Sequence, residues 1–297
     1  MMARTRFLWI NIFSVSMLTG LSLSSVGQTQ LISGIVSKKG TSEVLPYVSI
    51  AVKNTSRGTI SDLKGSFSIG AKASDSILVS SVGYQKLTIA AGTIPDTLYL
   101  EEEISFLTEI SISSTKRSKK INIGNLKEKT ILATGGANQY AKLFPNQMGS
   151  DGILESITLS FQPEAKKYGR YMTAIMVRVY ENTNGLPGGD LLFQNVIVPI
   201  KENQNQVSVD LSKFNISFPS QGLFIGFDFV GYYDGSEVFT PYSKLNTPAN
   251  LRVEFAKNND ADTFSRFFGT KWQKVLHTDR DGNNHPISSK MRITVSY

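Results

Sequence analysis

From Leu31 to about Leu100 the sequence is cut into short runs of alternating apolar and polar residues, a pattern that allows little except antiparallel β-structure. LISGIVS, YVSIAVK, GTIS, SFSI, SILVSSV, KLTIA and TLYL are separated by Lys-Gly, Pro, Asn-Thr-Ser, Asp-x-x-Gly and Gly-Tyr punctuation. No 3.6-residue period persists through them, so no helix is expected. The spacing predicts a small sandwich of about seven strands. The sharpest signal is GTISDLKGSFSI, Gly58 to Ile69, with Asp62 and Gly65 at the ends of a four-residue corner. Asp at the first turn position accepts a bond from a backbone N–H two residues on, and Gly at the fourth relieves the backbone. The corner is read as a hairpin.

A chain of 297 residues holds one large or two ordinary domains, each able to bury a core. With 40% hydrophobic and 19% charged residues the composition is globular. No cysteine is present, which excludes a disulfide framework, a Cys-based metal site, a Cys nucleophile and a lipidated N-terminal Cys. The formal charge of +7 does not point to nucleic acid. Arg4 and Arg6 belong to a leader, and Lys116, Arg117, Lys119 and Lys120 form one local run.

Residues 1–27 read as a signal peptide: two arginines, an apolar run from Phe7 to about Leu23, then small residues with Ser25 and Gly27 suited to cleavage before Gln28. The alternative is an uncleaved anchor, and both place the chain outside the cytoplasm: periplasmic, outer-membrane associated or extracellular. The expected organisation is a first domain over 28–113, a basic linker over 114–126 and a second β-sandwich, jelly-roll-like, over 127–297. In that second unit ILESITLSF places Ile157, Leu159 and Phe161 on one face, and TAIMVRVYE does the same for Ile175, Val177 and Val179. About nine or ten strands are expected there, including VSVDL, FNISF, LFIGFDFVG, NLRVEF, WQKVL and KMRITVSY.

The order SGIV, LPYVSIAVKNTSRGTISDLKGSFSI, DSILVSSVGYQKLTI resembles the carboxypeptidase-like regulatory domain, carried by Gly34, Pro46, Val48, Gly58, Thr59, Asp62, Gly65, Phe67, Leu78, Ser81, Gly83 and Tyr84. The resemblance implies a transthyretin-like (prealbumin-like) β-sandwich, an exported protein of Gram-negative bacteria and a non-catalytic accessory role. Such domains stand at the N-terminus of TonB-dependent transporters, whose junction to the plug is echoed by Leu107, Glu109, Ile110 and Ile112. The chain after it is too short for the large barrel of a transporter, so no transmembrane barrel is expected. VRVYENTNGLPGGDLL and FPSQGLFIGFDF are similar to a region found beside the same domain in other exported proteins, which implies no activity.

Three kinds of chemistry have candidate residues. His277 to His285 spaces Asp279, Asp281 and Asn283 as a calcium loop does, although Arg280 intrudes and the later bidentate Glu is missing; a polar hairpin loop explains the same residues. Zinc at His277 and His285 is the lesser metal reading. Trp272, Tyr232 and Tyr233, with Phe239 and Tyr242, are candidates for stacking on sugars, with Asp228 or Glu237 as hydroxyl partners; core filling is their other use. For hydrolysis, Glu155, Glu181, Asp228 and Glu254 are the strand carboxylates available to a glycosidase pair, but nucleophile-elbow, zincin and phosphate-loop motifs are absent. The expected function is therefore a non-enzymatic envelope module without a cofactor, whose partner is an envelope protein or a glycan. The sequence leaves the oligomeric state open.

Overall fold

A computed structural model describes residues 28–103, 119–124, 126–134, 137–163, 172–201, 204–233, 238–243, 251–257 and 262–297. The leader and the Leu107–Ile112 strand lie outside the described residues, as does Glu237. The structure is all-β, with two single-turn 3-10 segments and no α-helix among the described residues. Among the described residues no helix is long and apolar enough to cross a membrane.

The N-terminal unit has strands β1 (Gln30–Lys38), β2 (Ser49–Val52), β3 (Gly58–Ile60), β4 (Ser66–Ala71), β5 (Ser76–Ser80), β6 (Leu87–Ala90) and β7 (Thr97–Leu100). They form a three-stranded sheet, β4-β1-β7, and a four-stranded sheet, β3-β2-β5-β6. Alternation decides which side chains meet between them. Phe67, Ile69, Ile77, Val79, Leu98 and Leu100 point inward beside Val36, Ile50 and Val52, and each contributes roughly 1.5–3 kcal/mol on burial.

The Asp62–Gly65 corner forms as its residues predict, but it does not close a hairpin ladder. Asp62 Oδ1 accepts from the N–H groups of Lys64 at 2.8 Å and Ser66 at 2.9 Å, and Gly65 N–H donates to Asp62 O at 3.0 Å. Its two arms then part, because β3 pairs with β2 and β4 pairs with β1. The turn carries the chain from one sheet to the other. Local residues encode a turn equally well in both cases; the partner of each arm is a long-range choice.

The second unit continues with β8 (Lys120–Gly124), β9 (Thr130–Thr134), β10 (Gln139–Phe144), β11 (Gly152–Pro163), β12 (Met172–Thr183) and β13 (Leu186–Asp190). Next come β14 (Val196–Ile200), β15 (Gln206–Asp210), β16 (Ile216–Phe218), β17 (Leu223–Tyr233), β18 (Phe239–Pro241) and β19 (Leu251–Lys257). The last are β20 (Thr263–Arg266), β21 (Gln273–Lys274), β22 (Leu276–Thr278), β23 (Asn284–Ser289) and β24 (Met291–Ser296). An eight-stranded sheet runs β13-β12-β17-β10-β20-β21, with β14 on β12 and β18 on β17. A nine-stranded sheet runs β22-β23-β19-β11-β24-β8, with β15 and β16 on β11 and β9 on β19. Ile157, Leu159 and Phe161 face Ile175, Val177 and Val179 in one core, with the Phe161 and Phe227 rings edge-on at 5.2 Å.

There are more strands than the pattern suggested because β11 pairs along its length with several short ones. Two expectations change. The basic segment taken as linker contains β8, whose Ile121 and Ile123 alternate well enough to pair with β24. WQKVL is divided, Gln273 and Lys274 joining one sheet and Leu276 the other.

Gly65 holds φ +72°, and a Cβ there would stand 2.7 Å from Val36 O. Gly65→Ala is expected to lower stability by about 1–3 kcal/mol, read from urea unfolding; an unchanged midpoint would show that the corner tolerates a side chain.

Candidate functional site

The eight-stranded sheet is buried on both faces, which simple alternation did not foretell. Ile175, Val177 and Val179 face the other sheet, while Met176, Arg178 and Tyr180 on the opposite face of β12 are at most 6% exposed. By register, Phe224, Gly226 and Asp228 of β17 and Gln139 and Ala141 of β10 share that outer face.

The N-terminal unit covers one end of it. Tyr47, just after Pro46, has φ 61°, a left-handed backbone that costs an aromatic residue roughly 1–3 kcal/mol. Its N–H is held by Ser61 O at 3.1 Å. The ring stands edge-on to Phe239 at 5.3 Å, and the hydroxyls of Tyr47 and Tyr233 are 3.1 Å apart. Burial first, then that hydrogen bond, pushes the Tyr47 phenol well above its ordinary range. Thr59 forms a β-bridge with Ser243, and Asn54 N–H donates to Gly269 O at 3.0 Å.

Two glycines permit the contact. A Cβ on Gly58 would lie 2.1 Å from the Phe268 ring, and one on Gly83 would lie 2.5 Å from Phe193 O. Ala51, Ile60 and Val82 thereby join Met176, Leu192, Tyr242 and Phe268 in one continuous core.

Deeper on the same face lies a buried ionic cluster. Arg178 Nη1 is 2.9 Å from Asp190 Oδ2 and its Nε 3.0 Å from Asp228 Oδ2; both contacts are short but poorly aligned for hydrogen bonds. Burial raises the Asp190 carboxyl to about 6, against the pull of Arg178. Burial alone would lower the Arg178 guanidinium, but Asp228, Tyr180 and Asp190 outweigh it and keep it charged. Arg266 donates to Gln139 Oε1 and lies 4.3 Å over the Trp272 ring, whose edge meets Tyr180 at 5.7 Å. Asp228 therefore serves an ion pair.

The structure separates the aromatics that the sequence grouped. Tyr232 and Tyr233 end β17, Phe239 and Tyr242 are buried beside them, and Trp272 packs on Tyr180. Tyr180 pairs with Phe224, nine residues before Tyr233 on β17, and Trp272 lies over Arg266 of β20, two strands away from β17 in the same sheet. They form no common platform.

The carboxylates are likewise apart. Glu155 accepts from Ser296 Oγ at 2.6 Å and pairs with Lys120 at 3.2 Å; Glu254 accepts from Ser160 Oγ and Thr130 Oγ1; Glu181 is exposed. In the aspartate-rich loop Asp279 Oδ1 accepts from the N–H groups of Asp281 and Asn283, both at 2.9 Å. Its Oδ2 meets His285 Nε2 at 2.8 Å. The His285 bond first, then the Asn283 N–H, holds this exposed carboxyl down to about 2. Asp279 thus organises the hairpin joining β22 to β23, in which His277 pairs with His285. No group of three or more His, Asp or Glu side chains among the described residues is placed to hold a metal ion.

Sequence reasoning missed Tyr47, Arg178 and Asp190. Arg178 had a signal: a charge at the centre of the apolar run MVRVY. Tyr47 and Asp190 had none, since each matters through a residue distant in sequence.

Some of the positions that carry the family likeness, Gly58, Thr59 and Gly83, are thus junction residues. Residues 32–112 are a CarboxypepD_reg-like domain. The TonB-dependent receptor SusC of Bacteroides thetaiotaomicron is 34% identical over 102 residues, covering 34% of this chain and 10% of the receptor. A TonB-dependent receptor of Formosa agariphila is 41% identical over 64 residues, 22% of this chain and 6% of that protein. The chain therefore spans a tenth or less of either receptor. Among solved structures, a clostridial cysteine protease after propeptide cleavage aligns over 88% of this chain and 61% of its own, with 9% identity and a TM-score of 0.39.

Asp228→Ala leaves Arg178 buried with one partner fewer and is expected to cost about 3–5 kcal/mol, with Arg178→Met recovering part in the double variant; both are read by denaturant unfolding. Asp190 is raised from 3.8 to about 6 in the fold, so the stability linked to it is full below pH 3.8 and lost as pH rises through about 6. Asp190→Asn is expected to remove that component from the pH–stability curve; superimposable curves would show that Asp190 does not titrate there.

Proposed function

We propose that this chain is a non-catalytic protein of the bacterial cell envelope, in which the CarboxypepD_reg-like domain is a fixed cover on a larger β-sandwich and the pair binds an envelope protein. The observation that carries the reading is the docking of that domain: its Tyr47, Gly58 and Gly83 fit the second unit directly. A spacer needs no such fit. The receptors that share the domain support an envelope setting.

The geometry favours a protein partner over a glycan. Tyr233 and Phe239 are spent on the junction, and one face of Trp272 lies against Arg266. Each strand carboxylate suited to hydrolysis, Glu181 apart, is tied into a hydrogen bond or ion pair.

Cell fractionation of the tagged chain, followed by reciprocal capture from the envelope fraction beside a glycan array, tests this. The expected result is an envelope location and one protein partner that captures the chain in return. A cytosolic location would end the proposal, and binding to sugars alone would replace it with a carbohydrate-binding role.

A further inference from the structure

One buried pair sets an amine against a carboxyl. Lys142 of β10 and Asp262, just before β20, have side chains only 10% and 16% exposed, with Nζ 3.9 Å from Oδ2. Nζ donates to Ser289 O at 3.0 Å and lies 5.2 Å from the centre of the Phe144 ring. The Asp262 carboxyl is gripped at both oxygens: Thr263 Oγ1 donates to Oδ1 at 3.0 Å and Ser288 Oγ to Oδ2 at 2.9 Å. The backbone is fixed too, since Leu143 N–H donates to Asp262 O at 2.9 Å. An amine, a carboxyl and two hydroxyl donors thus converge where little water reaches.

We propose that Lys142 and Asp262 condense to an intramolecular amide linking Nζ to Cγ. Nζ attacks Cγ and a C–N bond forms. The bond from Cγ to Oδ2 breaks, and Oδ2 leaves as water, taking one proton from the amine and the proton of the acid. The ammonium–carboxylate pair holds the same protons as the neutral amine and acid, so no further reactant is consumed. Thr263 is placed to stabilise the oxygen that stays, and Ser288 donates to the one that leaves. The product keeps one N–H for Ser289 O.

Burial lowers the Lys142 amine against the pull of Asp262 and Glu128, and raises the Asp262 carboxyl against Lys142 and the two hydroxyls. Both shifts move the pair toward the neutral forms that react. A second lysine pair shows the contrast. Lys290 Nζ is 3.4 Å from Glu254 Oε2 with the same 10% and 16% exposures, but hydroxyls of Ser160 and Thr130 help to hold Glu254 below its ordinary range despite burial, so it stays a carboxylate. In a chain without cysteine, a bond between residues 142 and 262 would do what a disulfide does, and the constraint it places on the unfolded chain grows with the length enclosed.

Intact-mass spectrometry of the purified protein is the test, with its N-terminus sequenced to fix the reference mass. The expected mass is lighter by one water, with a branched peptide joining Lys142 to Asp262 after digestion. Lys142→Ala and Asp262→Ala should each restore the full mass for their sequence. A folded wild-type chain at full mass, with both residues recovered in separate unmodified peptides, would overturn the proposal without any need for the variants to fold.

Discussion

A sheet that is apolar on one face needs one cover; the eight-stranded sheet here needs two. The inner face of β12 and β17 meets the nine-stranded sheet through Phe161, Phe227 and their neighbours. The outer face would expose Met176, Tyr180 and Phe224, side chains whose transfer from water is worth roughly 1.5–3 kcal/mol each. The family domain covers one end of that face, and at the other end Tyr180 and Phe224 are buried against Phe264, a residue of the same sheet, and Trp272. The interdomain contact is therefore part of the core of the second unit.

Arg178 lies on the same face, buried between Asp190 and Asp228. Buried ion pairs of this kind add little net stability, since desolvation offsets most of the attraction. Their effect is on selectivity. Asp190 is on β13 and Asp228 on β17, both neighbours of β12, so a slip of either strand against β12 would strand a charge away from water.

The sequence disclosed local structure well and pairing poorly. The strands of the first unit follow from alternation between Gly, Pro and Asn punctuation, and the Asp62 turn forms as its residues dictate. The sheet switch across that turn was invisible, because turn chemistry is local and strand partnership is not. In the second unit the inner face of β12 is legible as Ile175, Val177 and Val179, whereas nothing in the alternation marks the outer face, with Met176, Arg178 and Tyr180, as buried too. Of the candidate site, Tyr233, Phe239 and Asp228 were noticed for their chemistry and then found in structural employment. Tyr47 could not be noticed, because its importance depends on a hydroxyl 186 positions away.

The backbone of Tyr47 bears on the order of synthesis. The first unit has its own core of Val36, Ile50, Phe67 and Leu98, and domains generally fold as they emerge, the N-terminal one first. Pro46 and the bond to Ser61 set the Tyr47 ring in place from within that unit. A nascent chain thus presents a finished aromatic peg, with Ala51, Ile60 and Val82 exposed around it, before β17 exists to receive it. The first unit then acts as a template on which the outer face of the later sheet can condense. Until that face arrives, the same apolar surface is the part of the nascent chain most in need of a chaperone.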